Sequence, residues 1–190
     1  PVMLGHPGGP PAVINASLVG AVEAALADRH IEGIYGMRYG IQGLLAEDIL
    51  DLRREPEHLW PKLAQTPSAA LGTCRYKLQQ QDPERAIEIL RRYNVRSMLY
   101  IGGNDSADTA HRLAQAAQQA SYDLQTISVP KTIDNDLPFT DHCPGYGSAA
   151  RFIALATQDS ALNTISIPSH YPVKVIETMG RDAGWLTAAS

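Results

Sequence analysis

An apolar strand that runs without a break into paired glycines and then into a helix constrains this chain more than any other feature. Ser97-Met98-Leu99-Tyr100-Ile101 leads directly into Gly102-Gly103-Asn104-Asp105-Ser106, and Ala110, Leu113 and Ala117 then fall on one side of a helix. The same rhythm recurs along the sequence. Val2-Met3-Leu4 reads as a strand, and after Gly8-Gly9 the residues Ile14, Leu18, Val22 and Leu26 predict a helix over 13 to 28. Further strands are expected at Ile31 to Tyr35, Leu124 to Val129 and Lys174 to Thr178, with helices at Gly145 to Leu162 and Ala183 to Ala189. Asp82-Pro83-Glu84 predicts a helix start, the aspartate capping and the proline in the first turn, with Ile87, Leu90 and Tyr93 as its apolar face and an end near Asn94. Residues 36 to 81 are less regular, and a short helix over Leu45 to Arg53 is the expectation there. Strands alternating with helical periods imply an α/β fold: three layers, a mostly parallel sheet of Rossmann type, helices on both faces.

Composition narrows the functions that such a fold can serve. The 190 residues carry 16 basic against 20 acidic side chains, a net charge of −4, which gives no general attraction to nucleic acid or to an anionic membrane. An anion site must therefore be local. Two cysteines, Cys74 and Cys143, are too few for a disulfide framework and suit a reduced, cytoplasmic setting. No secretory signal or apolar run of membrane-spanning length is seen. The chain enters its first strand directly from Pro1, so an upstream residue or two is expected. Its six histidines show no metal-binding spacing with the cysteines, and no G-x-x-x-x-G-K-[ST] motif occurs.

Chemistry concentrates in Pro130-Lys131-Thr132-Ile133-Asp134-Asn135-Asp136, which packs a cation, a hydroxyl and two carboxylates into seven residues. Phosphoryl transfer needs those groups: a cation against phosphate oxygens, a base for the acceptor hydroxyl, carboxylates near metal-bound phosphate. A solvated turn is the other reading, since Asp and Asn readily bond their own backbone. The Gly102-Gly103 turn is open in the same way, either a tight connection or an anion cradle at a helix N-terminus. Both loops follow the carboxyl ends of strands and so fall on one edge of a parallel sheet, where ligands bind. Arg181, in Met179-Gly180-Arg181, is either a surface residue at a helix start or a planar partner for a sugar phosphate.

In order and spacing, Gly8-Gly9 with Asn15, Gly72-Thr73-Cys74-Arg75, Gly102 to Ser106, Pro130 to Asp136 and Met179-Gly180-Arg181 resemble the phosphofructokinase family across nearly the whole chain. The resemblance implies phosphoryl transfer to the 1-hydroxyl of fructose 6-phosphate. Asp134 matches the family's general base, and Thr132 and Asp136, flanking Ile133, match its neighbours around the sugar and the transferring group. Met179, Gly180 and Arg181 match a sugar-phosphate segment, Gly9 the glycine that touches the donor phosphate, and Arg75 the arginine on the donor side. Members that use ATP typically carry glycine at the positions of Asp105 and Lys131. A carboxylate at 105 obstructs an α-phosphate and an ammonium at 131 supplies charge to a short inorganic donor, so the resemblance is to the pyrophosphate-dependent branch and a reversible reaction. Ile41 agrees, standing where ATP enzymes commonly have a tyrosine near the nucleotide.

Several positions depart from the family. Asn104 replaces the aspartate that usually holds Mg2+, so the metal is expected through water or Asp105. Pro172 stands seven residues before Met179, where the family places an arginine that reaches a neighbouring subunit. The family's sites lie between subunits, which implies a homo-oligomer. Its members continue into a second half, so residues 1 to 190 are expected to form the donor-binding α/β domain plus the Met-Gly-Arg segment, with little turnover alone. A phosphate-binding module that has lost turnover is the alternative from another class. An ATP-dependent kinase with a related Gly-Gly-Asp turn is a weaker one.

Overall fold

A computed structural model of the chain describes all 190 residues. They form two compact units, Pro1–Lys131 and Thr132–Ser190.

The first unit is built on a five-stranded sheet in the order β3-β2-β1-β4-β5. Its strands are β1 (Val2–Gly5), β2 (Ile34–Met37), β3 (Ile49–Asp51), β4 (Ser97–Gly102) and β5 (Gln125–Pro130). All neighbours pair in parallel except β2 and β3, which run antiparallel. The helices are α1 (Val13–Ala27), α2 (Ile41–Leu45), α3 (Leu59–Ala64), α4 (Asp82–Arg92) and α5 (Asn104–Gln119). Alternation along the strands divides the core in two. Met3, Met37, Met98 and Tyr100 pack with Ile41 and Leu44 of α2, Ile87 and Leu90 of α4 and Leu113 of α5. Val2, Leu4, Ile34 and Ile101 pack on the other face with Ile14, Leu18 and Val22 of α1 and Trp60 of α3. The expected three layers are present.

Four local expectations are corrected. The strand expected from Ile31 begins at Ile34, because Asp28 to Ile31 closes as a turn: Ile31 N–H donates to Asp28 O and His30 N–H to the Asp28 carboxylate. No helix covers Leu45 to Arg53. Instead α2 ends at Leu45, Glu47 takes a left-handed φ of 58°, and the Asp48 amide returns to Gly43 O at 2.8 Å. That reversal sends the chain back as β3. Gly43 is obligatory there, since a Cβ would lie 1.5 Å from the Arg38 carbonyl oxygen. Asp82 does not cap α4; its carboxylate accepts from the Gln79 amide at 2.6 Å and the Tyr76 hydroxyl at 2.7 Å, which ties down the preceding segment. Lys174 to Thr178 forms no strand, because the second unit contains no sheet for it to join.

The second unit consists of the Thr132–Gly145 loop, the long helix α6 (Tyr146–Ser166), an extended exposed segment and the short α7 (Trp185–Ala189). Among the 21 residues of α6 only Ala150 is buried, and Phe152, Leu155, Leu162 and Ile165 stand in solvent.

Tyr100 joins the core to a helix start. It is 1% exposed, its hydroxyl accepts the Ile41 amide at 2.9 Å, and burial pushes its ionisation well above the usual phenol range. Tyr100→Phe leaves that buried amide without an acceptor. Urea unfolding is expected to register a loss of about 1–3 kcal/mol with the circular dichroism of the native state unchanged.

Candidate active site

Parallel pairing of β1, β4 and β5 brings the loops after β1 and β4, and Lys131 at the end of β5, to the carboxyl edge of the first unit's sheet. The loop after β1 turns at Gly8, whose φ of +87° suits glycine. The loop after β4 turns straight into α5, with Gly103 as its N-cap and the Ser106 and Ala107 amides donating to Gly103 O. Gly102 allows this fold-back: a Cβ there would lie 2.0 Å from Ser106 Oγ. Lys131 follows β5 and ties its end to the other two loops. Its amide donates to Gly102 O at 2.9 Å and its Nζ to Gly9 O at 2.8 Å, and the residue is only 8% exposed. A buried ammonium is costly unless bonded. Here it is bonded to the loop after β1, while its backbone joins the end of β4 just before α5 begins.

Asn104 is half-buried and Asp105 exposed in the first turn of α5, and Asp105 O accepts the Thr109 hydroxyl at 2.9 Å. Arg75 is exposed. Ile41 is buried in the α2 and α4 core at 1% exposure, so packing is its part here.

A fourth segment, Thr66 to Cys74, is strapped to these loops by polar side chains set among apolar ones. Asn15, on the buried face of α1, donates to Thr66 O and accepts from the Ala70 amide, both at 2.8 Å. His6 is fully buried and its Nε2 accepts the Leu71 amide at 3.2 Å. Gly72 follows at φ +71°, pressed on the Tyr39 ring, and the Gly8 amide then donates to Cys74 O at 3.1 Å while Thr73 Oγ1 donates to Gly8 O. In the sequence Asn15 shows only as part of a glycine-led motif, and His6 only as one of six histidines without metal spacing. The available signal was position: a polar side chain in an apolar stripe must find a partner when buried.

In the second unit, Thr132 and Asp134 are buried while Ile133 and Asp136 are partly so. The Asp134 amide donates to Thr132 Oγ1 at 3.2 Å, and the carboxylate Oδ1 is buried with no protein hydrogen bond. Asn135 holds the turn open for it. At φ +55° its side chain accepts the Cys143 amide at 2.7 Å and donates to Asp141 O at 3.2 Å. Burial, reinforced by the charges of Asp136 and Asp134, pushes the Cys143 thiol up and leaves it an inert packing group. Gly180, at φ +134°, and Arg181, at +48°, form a left-handed turn closed by the Ala183 amide on Gly180 O. Arg181 and Met179 are exposed. Ile133 and Met179 line one apolar cleft of about 480 Å3 with Phe152, Ile176 and Leu186, so the Thr132–Gly145 loop and the Met-Gly-Arg segment meet within this unit.

No three carboxylate, histidine or cysteine side chains converge, so the chain builds no cage for a metal of its own. Asn104 and Asp105, in the first turn of α5, present oxygen donors of the kind magnesium accepts.

Paired glycines, a helix N-terminus and a buried ammonium thus stand together at one edge of a mostly parallel sheet in an α/β unit. The chain belongs to the phosphofructokinase family, whose pattern matches residues 2–190. It is 46% identical to the pyrophosphate–fructose 6-phosphate 1-phosphotransferase of Xanthomonas campestris pv. campestris over 96% of this chain and 45% of that one. The enzyme of the same name from Rhodospirillum rubrum is 43% identical over 100% and 46%. The crystal structure of pyrophosphate-dependent phosphofructokinase from Marinobacter aquaeolei superposes with a TM-score of 0.85 at 42% identity, over 99% of this chain and 48% of that one. The chain thus spans about half the length of the relatives it matches.

Burial lowers the His6 pKa from its ordinary 6.5, against the smaller opposing pull of the His6 and Gly72 backbone. Below 6.5 the unfolded chain takes up a proton that the folded chain refuses. Stability therefore falls as pH drops from 6.5 towards the lowered folded value, and this group contributes no slope above 6.5. Urea titrations across that window are expected to show a slope of up to about 1.4 kcal/mol per pH unit that His6→Gln removes.

Proposed function

We propose that this chain carries the donor site and the catalytic base of a pyrophosphate-dependent 6-phosphofructokinase, which moves a phosphoryl group from diphosphate to the 1-hydroxyl of fructose 6-phosphate. One observation carries the donor half of this reading: the Lys131 ammonium is buried and bonded to Gly9 O, at the glycine loop and near the start of α5. A short inorganic donor, all charge and no nucleoside, suits such a site. Asp105 in the same helix turn would repel and obstruct the α-phosphate of a nucleotide. Its identity to diphosphate-using relatives supports the same donor.

In this reading the Gly8–Gly9 loop and the first α5 amides bind the donor, Lys131 faces its oxygens, and Arg75 steadies charge on the donor side. Met179, Gly180 and Arg181 hold the sugar phosphate, with Thr132, Ile133 and Asp136 around the acceptor. Asp134 is the base: its buried Oδ1 has no bond to give up before it takes one from the sugar hydroxyl. As that O1–H proton passes to Asp134, the O1–phosphorus bond forms and the bridging P–O bond of diphosphate breaks, releasing phosphate. Positioning and electrostatics do most of the work, and the reverse reaction uses the same groups. Asn104 and Asp105 would hold magnesium, which neutralises donor charge when bound. A cytoplasmic, glycolytic homo-oligomer is the setting we propose.

Phosphorylation of fructose 6-phosphate, assayed with diphosphate and with ATP on this chain and on a form extended to its relatives' length, tests the reading. Activity with ATP alone refutes the donor assignment, and phosphate binding without any rate identifies a binding module instead. Lys131→Met is expected to weaken diphosphate binding by about 10- to 100-fold in calorimetry, the worth of a charge-assisted contact. Asp134→Asn is expected to leave that affinity intact and lower kcat by about 10²- to 10⁴-fold.

A further inference from the structure

We propose that His6 is a positioning residue for the donor loop, acting as a neutral hydrogen-bond acceptor. The inference rests on reading Gly8–Gly9 as the donor site. His6 directly follows β1 and stands two residues before Gly8, so one short stretch of chain carries both grips on the neighbouring segment. At the first, Nε2 takes the Leu71 amide at 3.2 Å. At the second, the Gly8 amide and carbonyl engage Cys74 O and Thr73 Oγ1. Between the two, Gly72 turns through φ +71°, and the Tyr39 amide holds Leu71 O at 2.7 Å. The orientation of Gly8 is thus set by a segment that His6 holds at Leu71, together with Asn15 and the Tyr39 amide.

The chemistry of the imidazole makes it more than filler. An acceptor at Nε2 requires the neutral ring with its hydrogen on Nδ1, and Nδ1 is buried without a protein partner. Burial favours the same neutral form. A protonated ring would put Nε2–H against the Leu71 N–H and open the first grip. A neutral prop also adds no charge beside the loop, so its influence on an anion passes through geometry.

Three variants separate an acceptor from mere volume. His6→Gln places an amide oxygen near the Nε2 position, His6→Asn keeps the amide but withdraws it by a methylene, and His6→Leu fills space with no lone pair. Amide hydrogen exchange is read at Leu71 and Gly8, and magnesium diphosphate binding by calorimetry. His6→Asn and His6→Leu are expected to raise exchange at both amides and to weaken binding, each by about tenfold, while His6→Gln restores both. Equal behaviour of the Gln and Asn variants overturns the proposal, and that pair decides it even where His6→Leu does not fold. Exchange that follows the expected order while the native chain itself binds no diphosphate leaves the positioning of Gly8 standing and refutes the donor assignment.

Discussion

Parallel pairing of β1, β4 and β5 is the constraint from which the candidate site follows. Strands that run the same way end at the same edge, so the loops after β1 and β4 and the end of β5, far apart in sequence, arrive together. Lys131 exploits this arrangement. Its backbone bonds to the end of β4 and its side chain reaches across to the loop after β1, so one residue reads the register of three strands. A slip of β5 by one residue would turn that ammonium to the other face of the sheet.

The parts of the fold legible in sequence were those where apolar runs met glycine or proline. β1, β4, β5, α1, α5 and α6 all announce themselves that way, and α4 does so through Pro83. What stayed hidden was set by single backbone angles and by partners elsewhere in space. Glu47 gives no sign that it takes a left-handed turn, yet that turn converts an expected helix into β3. The segment Lys174 to Thr178 has the composition of a strand, but a strand is a relation between segments, and no neighbour is there. Asp82 has the right residue type for a cap and spends its carboxylate on Gln79 and Tyr76.

The site was legible where charge was unusual and obscure where its role is support. Lys131, Asp105 and Asp134 stand out because charged groups in short loops between apolar elements invite a chemical explanation. His6, Asn15 and Asn135 do not, although they brace the segments on which the candidate site is built. Each supplies a side-chain bond to backbone that has no sheet or helix partner, and such needs become visible only when the chain is folded.

The Asn135 brace has a consequence for how the base would work. A left-handed asparagine bonded at both ends of its amide to Asp141 and Cys143 removes the freedom of the turn before any sugar arrives. In the role proposed for Asp134, the entropy of aiming it would fall on folding, once in the life of the molecule, and not on each encounter with substrate. A loop that closed around its ligand would repeat that cost at every turnover; this one behaves as part of the scaffold.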